Sequence, residues 1–445
     1  MPPAPLDPAL RRAAYNRCNP DESLPPGDER NVDIDVVSPK VRGEHWVEEL
    51  ASAIEISNDP VCTLFTGLPG SGKSTELRRL ADRLQQEDSA HLLTVLIDAE
   101  KVIDLDNPID VPDILMAVLY KTEEHVLEAE EKDPKDALKE SPVQRFWHWL
   151  TTTEVAFKDL EVGTPKESKL PVAARVVLGL KEVPSLREKV RTTVAAHMTT
   201  FVAKLKEAFT VLDDRAKKLG YRGLAIIFDS LEKLRGLTAN WKEVLASAEA
   251  VFKGGAPHLR LPVHAVYTIP PALAFRRNVE VTFLPMIKLF ERDGARSKKG
   301  FMAAMRLIEK RLSDPVLNEI FGPTNRASRI EQLILWSGGY PREIVRMLQK
   351  FVRRPPRDEE DFKDLLSRAG DSYRRIVPED AHAWLARVHV EKALPVLNDD
   401  HRETVDRLLT DSVVLRYLNG QEWFDIHPAV QTIPGIATEI AKLRG

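Results

Sequence analysis

The 445-residue sequence contains only two cysteines, Cys18 and Cys62. Two cysteines give no disulfide framework, and they fit a reducing compartment. Long apolar runs are also missing, and this excludes a membrane span of about 20 apolar residues. Residues 1–30 are rich in proline and charge and lack the apolar core of a signal peptide. We therefore expect a cytoplasmic protein without a membrane segment.

An excess of positive charge is absent as well. The formal net charge is −4, so the chain as a whole lacks the electrostatic footprint of a nucleic-acid-binding protein. Binding of DNA would require a local basic face, and the overall charge of the chain does not indicate DNA as a partner. Hydrophobic residues make up 43% of the chain and charged residues 30%, as in helix-rich globular proteins. This length predicts two or three domains.

Apolar strand-like segments separated by long helical stretches predict a parallel sheet covered on both faces. The predicted strands end at Thr66, Asp98, Asp229, Thr268 and Leu284. Residues at about 127–222 are mostly helical and form a predicted insertion between the second and third strands. Within it, residues 190–219 have the pattern of one long amphipathic helix.

Changes in pattern along the chain predict four regions. Residues 1–40 are expected to form an extended N-terminal arm, and residues 41–290 an α/β core that carries the insertion. Residues 291–355 turn all-helical. Residues 356–445 carry helices and then Asn419-Gly420 between two strand-like runs, which is the strongest short-range hairpin signal. Helices followed by a hairpin predict a winged-helix-like domain.

A phosphate-binding loop follows the first predicted strand at once. The run from Gly67 to Ser74 matches G-x-x-x-x-G-K-[ST], with a strand before it and a helix after it. Glycines let successive N–H groups point at phosphates, and Lys73 adds a cation. The Ser74 hydroxyl is a predicted ligand of Mg²⁺, so ATP and Mg²⁺ are the expected cofactors. The predicted phosphate-binding residues are Gly67, Leu68, Pro69, Gly70, Ser71, Gly72, Lys73, Ser74 and Thr75.

Three further candidates lie at strand ends. Asp229 is a predicted second Mg²⁺ ligand, with a helix N-cap as the alternative. Glu232 is a candidate for activating the attacking water, or equally a first-turn helix residue favoured by the helix dipole. Thr268 ends the fourth strand, where open parallel sheets present ligand contacts, or it caps a turn.

Basic residues and one histidine complete the candidates. Arg276 and Arg277 precede the fifth strand and have two interpretations: an arginine that reaches the phosphates bound by a neighbouring subunit, or a solvated basic pair. Arg342 opens a predicted helix after Pro341 and is either a nucleotide-sensing residue or part of an ordinary helix start. His427 is isolated, and a packing or capping role is favoured for it.

The order of the P-loop, LAIIFDSLE, PVHAVYTIP and GGYPREIVRML resembles AAA+ ATPases of the origin-recognition type and the related STAND signal-transduction ATPases. The resemblance covers about residues 40–350 and more loosely the remaining chain. It implies a P-loop NTPase sheet of order 5-1-4-3-2, with residues 291–355 as a helical lid over Mg·ATP. Near Val41-Arg42-Gly43 it implies the segment that packs on adenine.

The same resemblance assigns roles to single residues. It makes Asp229 the Walker B aspartate, Thr268 the sensor-1 residue and Arg342 the sensor-2 arginine. It places the arginine finger at Arg277 or at Arg276.

Two departures from the family pattern change what is expected. Motor-type AAA+ proteins have Asp-Glu in sequence, whereas here Ser230 follows Asp229 and the acid is displaced to Glu232. That spacing is more similar to STAND proteins, which act as slow switches. His427 stands where plant-receptor relatives carry a Met-His-Asp triplet, but its neighbours here are Ile426 and Pro428.

The expected function is an ATP-hydrolysing conformational switch that assembles with like subunits or acts on a separate effector protein. Bacterial members of this group often work in antiviral defence or signalling, and the chain shows no effector motif of its own. One alternative is a DNA-binding initiator or transposition-regulator ATPase. Another is a nucleotide-binding scaffold without turnover.

Overall fold

A computed structural model describes residues 7–132, 141–152, 171–234, 236, 239–276, 279–395 and 402–445. The chain divides into two compact units. The first, which we call the sheet unit, comprises Leu50–Thr66 and Leu77–Thr282. The second comprises Met1–Glu49, Gly67–Glu76 and Phe283–Gly445, and we call it the lid unit only because it contains residues 291–355, the lid that the resemblance implies.

The central sheet has five strands in the order β2-β3-β4-β1-β5, and β2–β3, β3–β4 and β4–β1 are parallel pairs. The predicted order 5-1-4-3-2 is therefore confirmed. Its fifth strand is shorter than the predicted run, as is common for a strand at a sheet edge. The strands are β1 (Cys62–Gly67), β2 (Leu93–Asp98), β3 (Leu224–Asp229), β4 (His264–Thr268) and β5 (Thr282–Leu284).

Helices surround the strands of the sheet unit and share with them one apolar core. The part of the predicted insertion that the structure describes is helical. The prediction of one long helix at residues 190–219 is wrong. A break at His197, which has φ −126° and ψ 24°, separates two helices. Thr192, Thr193 and Val194 precede the break, and such β-branched residues lower helix propensity. The helices are Ala99–Val102, Val111–Ala129, Pro142–Thr152, Val172–Glu182, Pro184–Ala196, Met198–Lys218, Trp241–Glu249 and Ala256–Leu259.

The described residues of the lid unit are mainly helical and include the hairpin of β6 (Val414–Asn419) and β7 (Gln421–Ile426), which pair antiparallel around Gly420. The hairpin lies where Asn419-Gly420 predicts it. No helix among the described residues is long and apolar enough to cross a membrane. The helices of this unit are Pro8–Arg17, Ile34–Val37, Lys298–Glu309, Asp314–Phe321, Arg326–Ser337, Pro341–Arg353, Glu359–Ala369, Asp371–Ile376, His382–Glu391, Arg402–Thr410, Pro428–Gln431 and Pro434–Arg444; Trp46–Ile56 and Lys73–Gln85 continue into the sheet unit.

The N-terminal arm is not extended as predicted, because residues Pro8–Arg17 form a helix. The Asp7 carboxylate accepts the Ala9 N–H at 3.2 Å and caps the helix start. Ala14 and Cys18 are buried in the apolar core of the lid unit. Burial raises the pKa of the Cys18 thiol to about 12, so this cysteine behaves as a core residue. The proline-rich composition of residues 1–30 gave no indication of this short helix.

Candidate nucleotide-binding site

The P-loop connects β1 to the helix Lys73–Gln85, which we call the P-loop helix. Gly70 has φ +79° and Gly72 has φ +103°, and side chains disfavour both conformations. The Ser71 N–H donates to the Leu68 carbonyl at 3.1 Å, which closes the turn. The two glycines are therefore required by the backbone path of the loop.

Lys73 lies in the first turn of the P-loop helix with 3% of its surface exposed. Its Nζ donates to the carbonyls of Gly67 at 2.9 Å and Leu68 at 3.2 Å, so the cation lies within the loop. Ser74 follows it in the same turn. A helix N-terminus with a buried ammonium and a hydroxyl is a donor set that fits the phosphates and Mg²⁺ of ATP. Among the described residues no group of three or more His, Cys, Asp and Glu side chains forms a separate metal site.

The helix Pro341–Arg353, which we call the lid helix, contacts the tip of the P-loop within the lid unit. The Arg342 N–H donates to the Gly70 carbonyl at 3.3 Å, and the Tyr340 hydroxyl donates to the Pro69 carbonyl. A Cβ added to Gly70 lies 2.5 Å from the Cβ of Arg342 and 2.7 Å from the Tyr340 ring. Of these residues, Tyr340 is the one that the sequence did not single out.

The Arg342 guanidinium extends to the N-terminal arm. Its Nε donates to the Pro20 carbonyl at 3.2 Å and lies 3.9 Å from the Asp21 carboxylate. About a third of the side chain, 34%, is exposed. Pro341 is also the first helical residue, as the helix-start interpretation predicts. The structure therefore brings the backbone of Arg342 to the P-loop and its charge to the arm.

A buried ionic cluster anchors the first turn of the P-loop helix. Arg42 is fully buried, with Nε 3.0 Å and Nη2 2.6 Å from the Asp35 carboxylate and Nη2 2.9 Å from Glu76. Burial lowers the pKa of Arg42, but the carboxylates of Glu76 and Asp35 outweigh it and hold this pKa above its usual range. Burial raises the pKa of Asp35. Arg42, which the resemblance places near adenine, thus holds Glu76 three residues beyond Lys73.

In the sheet unit, Asp229 and Glu232 are both buried at the end of β3. Since β3, β4 and β1 are parallel neighbours, their last residues lie at one edge of the sheet. The Asp229 carboxylate accepts the Ser230 N–H at 2.7 Å. Ser230 has the left-handed φ of +72°, which L-residues rarely adopt and which clusters at functional sites. The following 3₁₀ turn, Leu231–Lys233, carries Glu232.

Thr268 connects the ends of β3 and β4. Its buried hydroxyl accepts the Leu231 N–H at 2.9 Å and donates to the Phe228 carbonyl at 3.2 Å. The hydroxyl therefore holds the turn that carries Glu232. The role that the sequence predicted, contact with the nucleotide, stays a prediction beside this observed one.

The two arginines before β5 have different outcomes. The Arg276 guanidinium Nε donates to the Glu249 carboxylate at 3.2 Å, and its side chain is nine-tenths buried. It is thus not a solvated residue. Arg277, the predicted finger, lies outside the described residues. A residue that the sequence did not select is Asp98, which ends β2 directly opposite Asp229.

His427 has the packing and capping role that was favoured for it. It is fully buried, its Nδ1 accepts the Ala429 N–H at 3.2 Å, and its ring stacks on Tyr373 at 4.0 Å. Burial, with a smaller effect of the Arg346 charge, lowers the pKa of His427 to about 3. The imidazole is therefore neutral and holds a helix start.

No protein-family model matches this sequence, and no curated protein matches it. Solved structures do match. One is the Orc1 protein of Aeropyrum pernix in complex with DNA, at 12% identity and a TM-score of 0.32, over 95% of this chain and 97% of that one. Another is Cdc6p from Pyrobaculum aerophilum, at 10% identity and a TM-score of 0.31, over 96% and 98%. The strand order of the chain itself, rather than these similarities, defines its fold.

Proposed function

We propose that this protein binds Mg·ATP through the P-loop, hydrolyses it slowly and acts as a nucleotide-controlled conformational switch. Lys73 and the loop amides would hold the phosphates, and Ser74 and Asp229 would ligate Mg²⁺. Glu232 would orient or deprotonate the attacking water. A separate effector protein, in bacterial defence or signalling, would receive the change.

The observation that carries the proposal is the contact between the lid helix and the P-loop. The Arg342 N–H and the Tyr340 hydroxyl both donate to carbonyls of the loop tip. A phosphate-bound loop turns its N–H groups toward the ligand. Because each peptide group is planar, the carbonyl oxygens of the loop turn with the N–H groups. Any such shift changes the two acceptors that hold the lid helix. Nucleotide state and lid position are then linked by direct hydrogen bonds.

A buried polar network extends this link toward the C-terminal region. Glu343 of the lid helix accepts Nε of Arg346 at 2.8 Å and the Tyr373 hydroxyl at 3.1 Å. Tyr373 in turn stacks on His427, which caps the helix after β7. Networks of this kind hold few alternative arrangements, because an unpaired member is costly. A displacement of the lid helix therefore reaches the hairpin region as a discrete change.

A DNA-binding initiator or transposition-regulator ATPase is the alternative. Its hairpin would need cations free to contact phosphates. Arg416 of β6 is instead paired with Glu422 at 2.8 Å and lies 4.1 Å from the centre of the Phe283 ring. An electrophoretic mobility shift at moderate salt tests this alternative. Tight binding of duplex DNA would favour it over the effector-linked switch.

Phosphate release under millimolar Mg·ATP tests hydrolysis. We expect slow turnover by the wild type and none by Lys73→Ala or Glu232→Gln. Glu232→Gln should still bind ATP, because its side chain acts on water rather than on phosphate. Lys218→Ala is the matched control, since this exposed lysine lies far along the chain from the loop. If the wild type releases phosphate no faster than Lys73→Ala, the protein does not hydrolyse ATP and the nucleotide-binding scaffold without turnover is favoured.

Hydrogen exchange tests the switch separately from hydrolysis. With ATP in the Glu232→Gln variant and ADP in the wild type, amide protection should differ in the lid helix and in Asp371–Ile376. Equal protection of both segments in the two states would contradict a switch even if ATP is hydrolysed.

A further inference from the structure

The N-terminal arm holds the C-terminal ends of two helices of the lid unit. Nε of Arg11 donates to the Val352 carbonyl at 2.9 Å, at the end of the lid helix. Arg17 donates to the carbonyls of Arg311 and Lys310, each at 2.9 Å, after the helix Lys298–Glu309. Carbonyls at helix ends have no partner within the helix and carry partial negative charge, so arginines are favourable there. The arm is thereby an integral part of this unit.

The arm then passes from the buried Cys18 to the Arg342 side chain. The Pro20 carbonyl accepts the Arg342 Nε hydrogen at 3.2 Å, and the exposed Asp21 carboxylate lies 3.9 Å from the same nitrogen. The backbone N–H of this arginine is bound to Gly70 of the P-loop. One residue therefore has its main chain on the loop and its charge on the arm.

We propose that Pro20 and Asp21 are positioning residues that compete with the nucleotide for the Arg342 guanidinium. The inference rests on the proposed function, because it takes the anionic phosphates of ATP as the competing partner. An Nε–H donates along one direction, and phosphate is a stronger acceptor for guanidinium than a peptide carbonyl. Transfer of Arg342 from the arm to phosphate would release Pro20 and Asp21 from the lid helix. ATP binding is then weaker than it would be without the arm.

The test weakens the arm and measures ATP affinity by calorimetry with Mg²⁺ in the full-length protein. Arg11→Ala/Arg17→Ala removes the donors to the helix ends, and Asp21→Lys places a repelling cation beside Arg342. Each variant should bind ATP about five-fold more tightly than the wild type, a typical coupling between linked sites. In an Arg342→Ala background the same changes should leave the ATP affinity unchanged.

Arg12→Ala is the matched control, because this neighbouring arginine is exposed on the same helix. Asp21→Lys should remain folded because the Asp21 side chain is 81% exposed, so this variant can be interpreted even if the double arginine variant unfolds. An unchanged or weaker ATP affinity in Asp21→Lys overturns the inference. An equal gain in ATP affinity in the wild-type and Arg342→Ala backgrounds also overturns it, because the arm would then act without Arg342. Absence of ATP binding in every variant, including the wild type, would refute the proposed function instead.

Discussion

The Tyr340 hydroxyl donates a hydrogen bond to the carbonyl oxygen of Pro69, and this joins the lid helix to the P-loop through one side chain. Tyr340 is itself buried, and burial raises the pKa of its phenol, which therefore remains a donor at physiological pH. The contact places the residue before the lid helix on the tip of the P-loop. It is the bond on which the proposed link between nucleotide and lid most depends.

Tyr340→Phe should uncouple the lid from the loop at little cost in packing. Loss of the hydroxyl removes one hydrogen bond and should lower the free energy of unfolding by about 1 kcal/mol. We expect ATP to bind still, but the difference in lid-helix hydrogen exchange between ATP and ADP to shrink. Tyr15→Phe, at a partly exposed tyrosine of the arm helix, is the control. An undiminished exchange difference in Tyr340→Phe would show that the link runs through other contacts.

Gly70→Ala should destabilise the protein more than Gly72→Ala. Both positions have positive φ, and a left-handed conformation costs a residue with Cβ about 1–2 kcal/mol. Only at Gly70 does the added methyl meet Arg342 and Tyr340, whereas nothing lies within 4 Å of it at Gly72. Overpacking of this kind costs about 1–3 kcal/mol more. Urea unfolding without nucleotide measures the two free energies of unfolding. Equal losses of stability in the two variants would mean that the lid helix does not contact the loop in solution.

The strand ends and the P-loop follow from local sequence because their signals are local. Apolar segments of five or six residues end at Asp98, Asp229 and Thr268, and the glycine motif specifies its own backbone path. The strand order agrees with the one that the resemblance to AAA+ ATPases implies. The strand ends and the P-loop could be predicted because the residues that determine them are close together in the chain.

The side-chain contacts of the candidate site could not be predicted, because they join residues that are distant in the chain. Nothing near Thr268 in the sequence indicates that its hydroxyl is bound to Leu231, 37 residues earlier. Arg42 has its partners at Asp35 and, 34 residues later, at Glu76. The Pro20 contact of Arg342 spans 322 residues. Hydrogen bonds between distant segments are set by packing, and a single sequence carries no pattern for them.

Thr268→Val should slow ATP hydrolysis by disturbing the turn rather than the strand. Valine keeps the shape of threonine but leaves the buried Leu231 N–H without its acceptor, which costs about 1–3 kcal/mol. Glu232 is the next residue, so its carboxylate loses its fixed position. Thr268→Ser retains the hydroxyl and should restore phosphate release to near the wild-type rate. If serine and valine reduce turnover equally, the hydroxyl is not what holds the turn.

His427 should make the protein less stable as the pH falls below 6.5. Its pKa is about 3 in the fold and near 6.5 when unfolded, so between these values the unfolded chain binds a proton that the folded chain does not. Stability is then full above pH 6.5 and declines as the pH falls toward 3. At pH 5 the loss relative to pH 8 amounts to about 2 kcal/mol.

His427→Asn isolates this contribution, because the asparagine oxygen can still accept the Ala429 N–H while the side chain does not titrate. Loss of the stack on Tyr373 lowers its stability by the same amount at every pH. The two proteins are therefore compared by the slope of the unfolding free energy between pH 8 and pH 5. We expect the asparagine variant to lose about 2 kcal/mol less over this range than the wild type. Parallel slopes would mean that His427 has the same pKa in the folded and the unfolded chain, and the ring stacked on Tyr373 would then be charged at pH 5.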